Sequence, residues 1–234
     1  MRLLPKGQEL NALSVLADPV RNAVYEFVRT RQEPVGRDEA ASALSMPRNT
    51  VAFQLDRLAD EGLLAVDFRR INGKGGPGSG RPAKLYSLAQ TEIVASVPHR
   101  EYPFAADLMA KAIERSSAEN RPVNVVLAEV AREAGNDIGA KAGSIKQVLT
   151  DHGYRPEERE NGSVGLLDCP FHQLSTNYRD TVCTMNLELL TAVVEGSQAP
   201  YTACFEAPSR DGHCCVRLDP STEQTEPDTQ DIAG

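Results

Sequence analysis

Apolar residues near the start of the chain recur at the spacing of helices. They are Leu10, Leu13, Leu16, Val20, Val24 and Phe27. Apolar positions three or four residues apart lie on one face of a helix. The pair Asp18-Pro19 interrupts this series and predicts a new helix, because Asp caps helix starts and Pro is tolerated at the first helical position. Residues 8–17 are then predicted to form a separate helical arm at a dimer interface.

Two more helices with a short turn between them are predicted next. Residues 37–44 predict a short helix, and residues 48–61 predict a longer one that ends at Gly62. The apolar face of the longer helix is formed by Val51, Leu55 and Leu58. Two helices joined by a turn of about three residues, here 45–47, are the signature of a helix-turn-helix motif.

A glycine-rich segment then lies between two strand-like stretches, 63–68 and 85–88. This arrangement predicts a hairpin with a long tip. Residues 69–84 contain five basic side chains and no acidic one. A helix-turn-helix followed by such a hairpin is a winged helix, and an uncompensated basic patch is typical of nucleic-acid binding.

The candidate DNA contacts come from the second helix and the hairpin. If the apolar face of the 48–61 helix points to the core, its other side chains project outward. The N-terminal part of such a helix enters the major groove, where Arg pairs with guanine and Asn or Gln pairs with adenine. The outward residues are predicted to be Arg48, Asn49, Thr50, Gln54 and Arg57. The hairpin residues predicted to contact phosphates or a minor groove are Arg69, Arg70, Lys74, Arg81 and Lys84.

Charge separates the chain into parts with different roles. The formal net charge is −8, yet residues 1–90 hold 13 Lys and Arg against 10 Asp and Glu, while the remainder holds 12 against 23. DNA binding is therefore assigned to a domain at 1–90. Residues 91–218 are predicted to form an α+β domain for dimerisation and sensing. The acidic, apolar-poor stretch 219–234 is predicted to be disordered.

The pattern after residue 100 is first helical and then mixed, so the fold class predicted for the whole chain is α+β. Helices are predicted at 104–115, 123–134, around 145–149 and at 181–195. Gly196 is expected to end the last helix. Strands are predicted from about 154, at 162–167, at 201–206 and at 215–218, the last two around an Asp211-Gly212 turn.

All five cysteines lie in the last third of the chain. They are Cys169, Cys183, Cys204, Cys214 and Cys215. An odd count argues against a disulfide framework in the reducing compartment we expect. Thiolates from separate elements that meet at one point can hold zinc or an iron–sulfur cluster. The spacing alone indicates three or four thiolates, with His172 as a further candidate ligand.

Several motifs together resemble one family. They are Asp-Pro-Val-Arg at 18–21, the glycine-rich hairpin at 76–86, Cys-Pro-Phe-His at 169–172, Val-Cys-Thr-Met-Asn at 182–186 and Cys-Cys-Val at 214–216. In combination they resemble the ArsR-superfamily winged-helix regulators of the SufR-like group. The resemblance runs from about residue 8 to Leu218 and implies a homodimeric transcriptional repressor that binds double-stranded DNA at an inverted repeat.

The resemblance also implies an iron–sulfur cluster that senses cluster supply or redox state. Carried over by motif, its three main ligands are Cys169, Cys183 and one of Cys214 and Cys215. Strand alternation places Cys214 and Cys215 on opposite faces without deciding between them. His172 is the candidate fourth ligand, and Cys204 matches no position of the family. A zinc site is the alternative.

Other functions are less well supported by the sequence. An enzyme using Cys169 as nucleophile and His172 as base would need an orienting group and an oxyanion site, and the sequence offers neither. No run approaches the ~18 apolar residues that span a membrane, and the first residues lack the pattern of a signal peptide. We therefore expect a cytoplasmic protein that is not an enzyme and does not bind membranes.

Overall fold

The structure is a computed structural model that describes residues 8–69, 82–89, 92–208, 210 and 212–221. Helices and two antiparallel sheets confirm the predicted α+β class. The helices are α1 (Gln8–Val15), α2 (Pro19–Arg29), α3 (Arg37–Leu44), α4 (Arg48–Asp60), α5 (Tyr102–Glu119), α6 (Val123–Gly139), α7 (Ile145–Asp151), α8 (His172–Asn177) and α9 (Arg179–Ser197). The strands are β1 (Val35–Gly36), β2 (Leu64–Arg69), β3 (Ala83–Leu88), β4 (Pro156–Glu158), β5 (Val164–Leu166), β6 (Tyr201–Phe205) and β7 (Val216–Pro220).

The chain divides into two compact units, which we call unit 1 (Met1–Ala95) and unit 2 (Ser96–Gly234). Each unit has its own buried apolar cluster. Within the described ranges, no helix combines the length and the apolar character needed to cross a membrane.

Helix α2 of unit 1 begins where the sequence predicts. Asp18 caps α2, since its carboxylate accepts a hydrogen bond from the backbone N–H of Arg21 at 2.8 Å, and Pro19 occupies the first helical position. This satisfies one of the N–H groups that a helix start leaves without an internal partner. The helix start predicted at Asp18-Pro19 is therefore confirmed.

Helices α3 and α4 are joined by residues 45–47, as predicted. The turn is possible because Ser45 adopts a left-handed conformation with φ of 51°. Val51, Leu55 and Leu58 of α4 are fully buried and share a core with Tyr86 of β3. The sheet of unit 1 has the strand order β1-β3-β2, with β2 and β3 pairing antiparallel from Leu64↔Leu88 to Arg69↔Ala83.

In unit 2 the helices α6 and α9 cross at very short range. The crossing is possible because glycines lie where the two backbones meet. A Cβ atom at Gly135 would lie 2.3 Å from the carbonyl oxygen of Leu189, and one at Gly196 would lie 2.9 Å from that of Asn136. The prediction that Gly196 ends the helix is wrong. The glycine serves this close approach, and α9 continues to Ser197 before Gln198 caps it at φ 53°.

The second sheet has the strand order β4-β5-β7-β6, and all its pairs are antiparallel. Strands β6 and β7 pair from Tyr201↔Pro220 to Phe205↔Val216, which confirms the predicted hairpin partners. Strand β7 extends two residues past Leu218, into the stretch predicted as a tail. Residues 222–234 and Asp211 of the predicted turn lie outside the described residues.

Candidate functional site

Helix α4 carries an exposed polar face opposite its core face. Arg48, Asn49, Thr50 and Arg57 are exposed, as predicted, and Phe53 is exposed beside them with 63% of its surface accessible. Arg48, Asn49 and Thr50 occupy the first turn of the helix. Because they are exposed, they can contact a DNA groove without any change in the core of unit 1.

An exposed ion pair holds Arg48 in place. Its guanidinium contacts the carboxylate of Asp38 in the first turn of α3. The hydrogen bond from Arg48 lowers the pKa of Asp38. Both side chains are more than half exposed, at 59% and 73%. Because water screens such a pair, the guanidinium can exchange this carboxylate for another anion or acceptor at little cost.

The prediction that Gln54 projects outward is wrong. Gln54 is buried, and its Oε1 accepts a hydrogen bond from Nε of Arg21 at 2.8 Å. The same arginine donates from Nη1 to the carbonyl oxygen of Val15 at 3.0 Å. Position 54 lies three residues after Val51 and therefore borders the apolar face of α4. Gln54 is thus a structural link between α4, α2 and the end of α1.

The carboxylate of Asp56 on α4 bonds two side chains of the β2–β3 hairpin. Asp56 forms an ion pair with the ammonium group of Lys84 and accepts a hydrogen bond from the hydroxyl of buried Tyr86 at 2.6 Å. Burial raises the pKa of Asp56, but these two hydrogen bonds outweigh it and the net direction is down. Lys84, predicted to contact phosphate, therefore already has an anionic partner in the free protein.

The other predicted hairpin contacts divide into two groups. Arg69, at the end of β2, is exposed and pairs with Asp67 at 2.6 Å. The residues Arg70, Lys74 and Arg81 lie outside the described residues. Arg57 on α4 pairs with Glu61 at 2.8 Å, also at the surface. The four predicted basic contacts that the structure describes, Arg48, Arg57, Arg69 and Lys84, thus each have an acidic partner.

Four of the five cysteines meet in the core of unit 2. Cys169 precedes α8, Cys183 lies in the second turn of α9, and Cys214 and Cys215 precede β7; all four are buried. Backbone hydrogen bonds join the loops, from Cys169 N–H to the carbonyl of Gly212 at 2.9 Å and from Cys214 N–H to that of Leu166 at 3.0 Å. The fold therefore brings together the residues that the sequence predicted as one site.

The expectation that Cys214 and Cys215 face opposite sides of a strand is wrong. Strand β7 begins only at Val216, so the alternation of a strand does not apply to the two cysteines before it. Both are 3% exposed. The irregular backbone turns both side chains inward, and both belong to the cysteine cluster, by which we mean Cys169, Cys183, Cys214 and Cys215.

The thiols of the cysteine cluster lie close enough to shift one another's pKa. The Cys214 thiol lowers the pKa of Cys169, and the Cys183 thiol lowers the pKa of Cys215 to about 4. In return, Cys215 raises the pKa of Cys183, and Cys169 raises the pKa of Cys214. Cys215 is therefore the thiol of the cluster that ionises most easily, and the thiolate is the form that binds metals.

Two residues that the sequence did not single out form a hydrogen-bonded network that ends at the sulfur of Cys214. Asn186, one turn after Cys183 on α9, donates from Nδ2 to the sulfur of Cys214 at 3.1 Å. The hydroxyl of fully enclosed Tyr154 donates in turn to Oδ1 of Asn186. Both polar groups are buried with their partners. The only sequence signal was the position of Asn186 inside the Val-Cys-Thr-Met-Asn motif.

An open cleft of about 360 Å³ reaches the cysteine cluster from one side. Cys183 and Cys215 line it, whereas Cys169 and Cys214 do not. The predicted ligand His172 lines it too, at the start of α8. The remaining polar lining comes from Ser175, Thr176, Arg179, Arg210 and His213. The cleft therefore separates two cysteines that face it from two that are packed behind them.

The donor set is suited in its chemistry to a soft metal. Thiolates with a neighbouring imidazole bind zinc and iron–sulfur clusters. In the part of the chain that the structure describes, however, no three or more His, Cys, Asp and Glu side chains are arranged to hold a metal ion. Binding would therefore require these side chains to turn toward a shared point.

Cys204 is separate from the cysteine cluster. It lies half-buried on β6, opposite Arg217 of β7. Burial raises its pKa, and a hydrogen bond with Asp219 raises it further. The residue is a matched control for experiments on the other four thiols.

Comparisons of this chain with protein-family models, with curated proteins and with solved structures found no match.

Proposed function

We propose that this protein is a transcriptional regulator that binds double-stranded DNA through unit 1. The observation that carries this proposal is the pair α3–α4 with its three-residue turn, followed by the β2–β3 hairpin. In this proposal the arrangement forms a winged helix-turn-helix, and α4 is its recognition helix. Its exposed first turn offers Arg48, Asn49 and Thr50 to base edges in the major groove.

The chemistry of unit 2 supports a sensor role. In this proposal Cys169, Cys183 and Cys215 hold an iron–sulfur cluster, with His172 or Cys214 at the remaining position. Cys215 is favoured over Cys214 because it lines the cleft with Cys183, while the sulfur of Cys214 is engaged by Asn186. When bound, an iron–sulfur cluster supplies redox sensitivity, since its thiolate-ligated iron is labile to oxidants.

Control of DNA binding would follow from the elements that the cysteines join. Cys169 belongs to the loop before α8, Cys183 to α9 and Cys215 to the segment before β7. Joining or releasing these elements changes the shape of unit 2. In a homodimer on an inverted repeat, the two recognition helices must be spaced to match about one turn of DNA, ~34 Å, so a small change suffices to weaken binding.

Anaerobic purification with analysis of iron, sulfide and zinc tests the sensor proposal directly. We expect iron and sulfide, a coloured protein, and an operator, selected from random duplexes, whose affinity changes on oxidation. Cys169→Ser and Cys183→Ser should be colourless and unresponsive, whereas the control Cys204→Ser should keep both colour and response. Stoichiometric zinc without iron or sulfide would replace the cluster with the zinc alternative. Absence of sequence-selective DNA binding would refute the regulator itself.

A further inference from the structure

The first residues of unit 2 are bonded directly to the loop that carries Cys169. We call residues 96–101 the connector, because they follow the boundary between the units along the chain and lead into α5. Nη1 of Arg100 donates a hydrogen bond to the carbonyl oxygen of Cys169 at 2.8 Å. The next residue, Glu101, donates its backbone N–H to the carbonyl oxygen of Pro170 at 3.1 Å.

The connector is also held by bonds of its own. The backbone N–H of Arg100 donates to the hydroxyl of Ser96 at 2.7 Å. The carboxylate of Glu101 contacts the imidazoles of His99 at 3.2 Å and His152 at 3.6 Å. The carbonyl of Glu101 accepts the N–H of Ala105 in the first turn of α5. These bonds cross-link the connector from Ser96 to the first turn of α5.

Arg100 contacts Cys169 at its backbone carbonyl, which a second hydrogen bond also uses. The Cys169 carbonyl also accepts the N–H of His172 at 3.1 Å, so one oxygen joins the connector to the start of α8. If ligand binding displaces the backbone at Cys169, this carbonyl moves with it. A guanidinium hydrogen bond is directional and charge-assisted, so it follows or breaks with that displacement.

We propose that Arg100 is the positioning residue through which the state of the cysteine cluster reaches the connector and, through the chain, unit 1. This inference rests on the proposed function, because it names how the sensor would act on the DNA-binding unit. Arg100 is neither a ligand of the cluster nor a DNA contact. Its hydrogen bond couples the position of the Cys169 backbone to the connector, the segment that follows unit 1 along the chain.

The test compares three variants for cluster content and for the dependence of operator affinity on cluster state. Arg100→Met keeps the apolar stem and removes the donors, while Arg100→Lys restores a charged donor. The matched control is Arg155→Met, because Arg155 contacts Asp168, the neighbour of Cys169, at 3.5 Å from outside the connector. Each sample is checked for iron, sulfide and its visible spectrum before the DNA titration.

We expect Arg100→Met to keep the iron, sulfide and spectrum of the wild type. Allosteric coupling in the wild type should change operator affinity about 5- to 150-fold between cluster states, and in Arg100→Met this should fall to about twofold or less. Arg100→Lys should recover part of the response, and Arg155→Met all of it. Full response in Arg100→Met, or equal loss in Arg155→Met, would overturn the proposal.

Hydrogen exchange separates failure of this link from failure of the proposed function. In cluster-free protein, Arg100→Met should speed exchange in peptides covering 166–174, and Cys169→Ala should speed it in peptides covering 96–105. If the wild type binds no cluster, or if its operator affinity does not depend on the cluster, the proposed function fails. The exchange rates of these variants then decide by themselves whether Arg100 couples the Cys169 loop to the connector. Unchanged exchange in both variants would overturn it.

Discussion

The two units place their polar chemistry in opposite environments. In unit 1 the candidate functional side chains lie at the surface, and Arg48 is held by an exposed carboxylate that other anions can replace. In unit 2 the cysteine cluster is buried, an open cleft reaches only Cys183 and Cys215, and the amide of Asn186 donates to Cys214. The first arrangement suits contact with a large charged partner, and the second suits a small group that alters internal packing. Substitutions in the two units should therefore differ in what they damage.

The largest effect is expected where two backbones meet in unit 2. Gly135→Ala would place a Cβ atom 2.3 Å from the Leu189 carbonyl oxygen, which forces α6 and α9 apart. Overpacking of this kind costs about 3 kcal/mol. Gly143→Ala is the matched control, because nothing lies within 4 Å of its Cβ position. Denaturant unfolding followed by circular dichroism measures the difference, and equal stability of the two variants would contradict the close crossing.

A smaller loss is expected from the buried amide beside the cysteine cluster. Asn186→Ala removes the donor to Cys214 and leaves the hydroxyl of Tyr154 buried without its acceptor. An unsatisfied buried group costs about 1–3 kcal/mol. The control Asn177→Ala removes an exposed amide that donates to the carbonyl of Gln173 at 3.3 Å within α8. Urea unfolding should separate the two; a loss no larger in Asn186→Ala than in Asn177→Ala would argue against the buried network.

The contrast between these units also explains what the sequence could predict. The spacing of Val51, Leu55 and Leu58 predicts α4 because a helix repeats its faces locally, within a few residues. Gln54 was misplaced because its burial depends on Arg21, which belongs to another helix. The spacing of apolar residues within one helix cannot predict this contact between two helices.

In unit 2 the identity of the clustered cysteines followed from their motifs, but their arrangement did not. The mutual influence of the thiols on their pKa values and the hydrogen bond from Asn186 to Cys214 involve segments far apart in sequence. Gly196 gave a misleading signal, since a glycine near a helix end is typical of a cap, whereas here it allows α6 to approach. Contacts of this kind appear only once the chain is folded.

On α4, one exposed and one buried polar residue should separate DNA binding from stability. Asn49→Ala removes an exposed side chain, so we expect operator affinity to fall by about 1–3 kcal/mol with unchanged unfolding free energy. Gln54→Ala removes the buried acceptor of Arg21, so the unfolding free energy should fall by about 1–2 kcal/mol. Titration of a fluorescent operator and urea unfolding, on both variants, provide the comparison. If Gln54→Ala changes sequence preference at full stability, the inward placement of Gln54 is wrong.

The smallest effect is a pH dependence in unit 1 from the carboxylate that fastens the hairpin. Lys84 and Tyr86 keep the pKa of Asp56 below its usual value in the folded chain. The ionised carboxylate therefore stabilises unit 1 above the unfolded pKa of about 4, and this contribution is lost as the pH falls through the lower, folded value.

Asp56→Asn tests that sign, because the amide oxygen still accepts from Tyr86 but carries no charge for Lys84. We expect the variant to be less stable than the wild type at neutral pH, and the difference to shrink as the pH falls below about 4. Asp60→Asn, at the exposed end of the same helix, is the control and should show a smaller change. Urea unfolding of unit 1 at a series of pH values measures it. A difference between wild type and Asp56→Asn that stays constant on acidification would show that the Asp56 carboxylate does not fasten the hairpin through its charge.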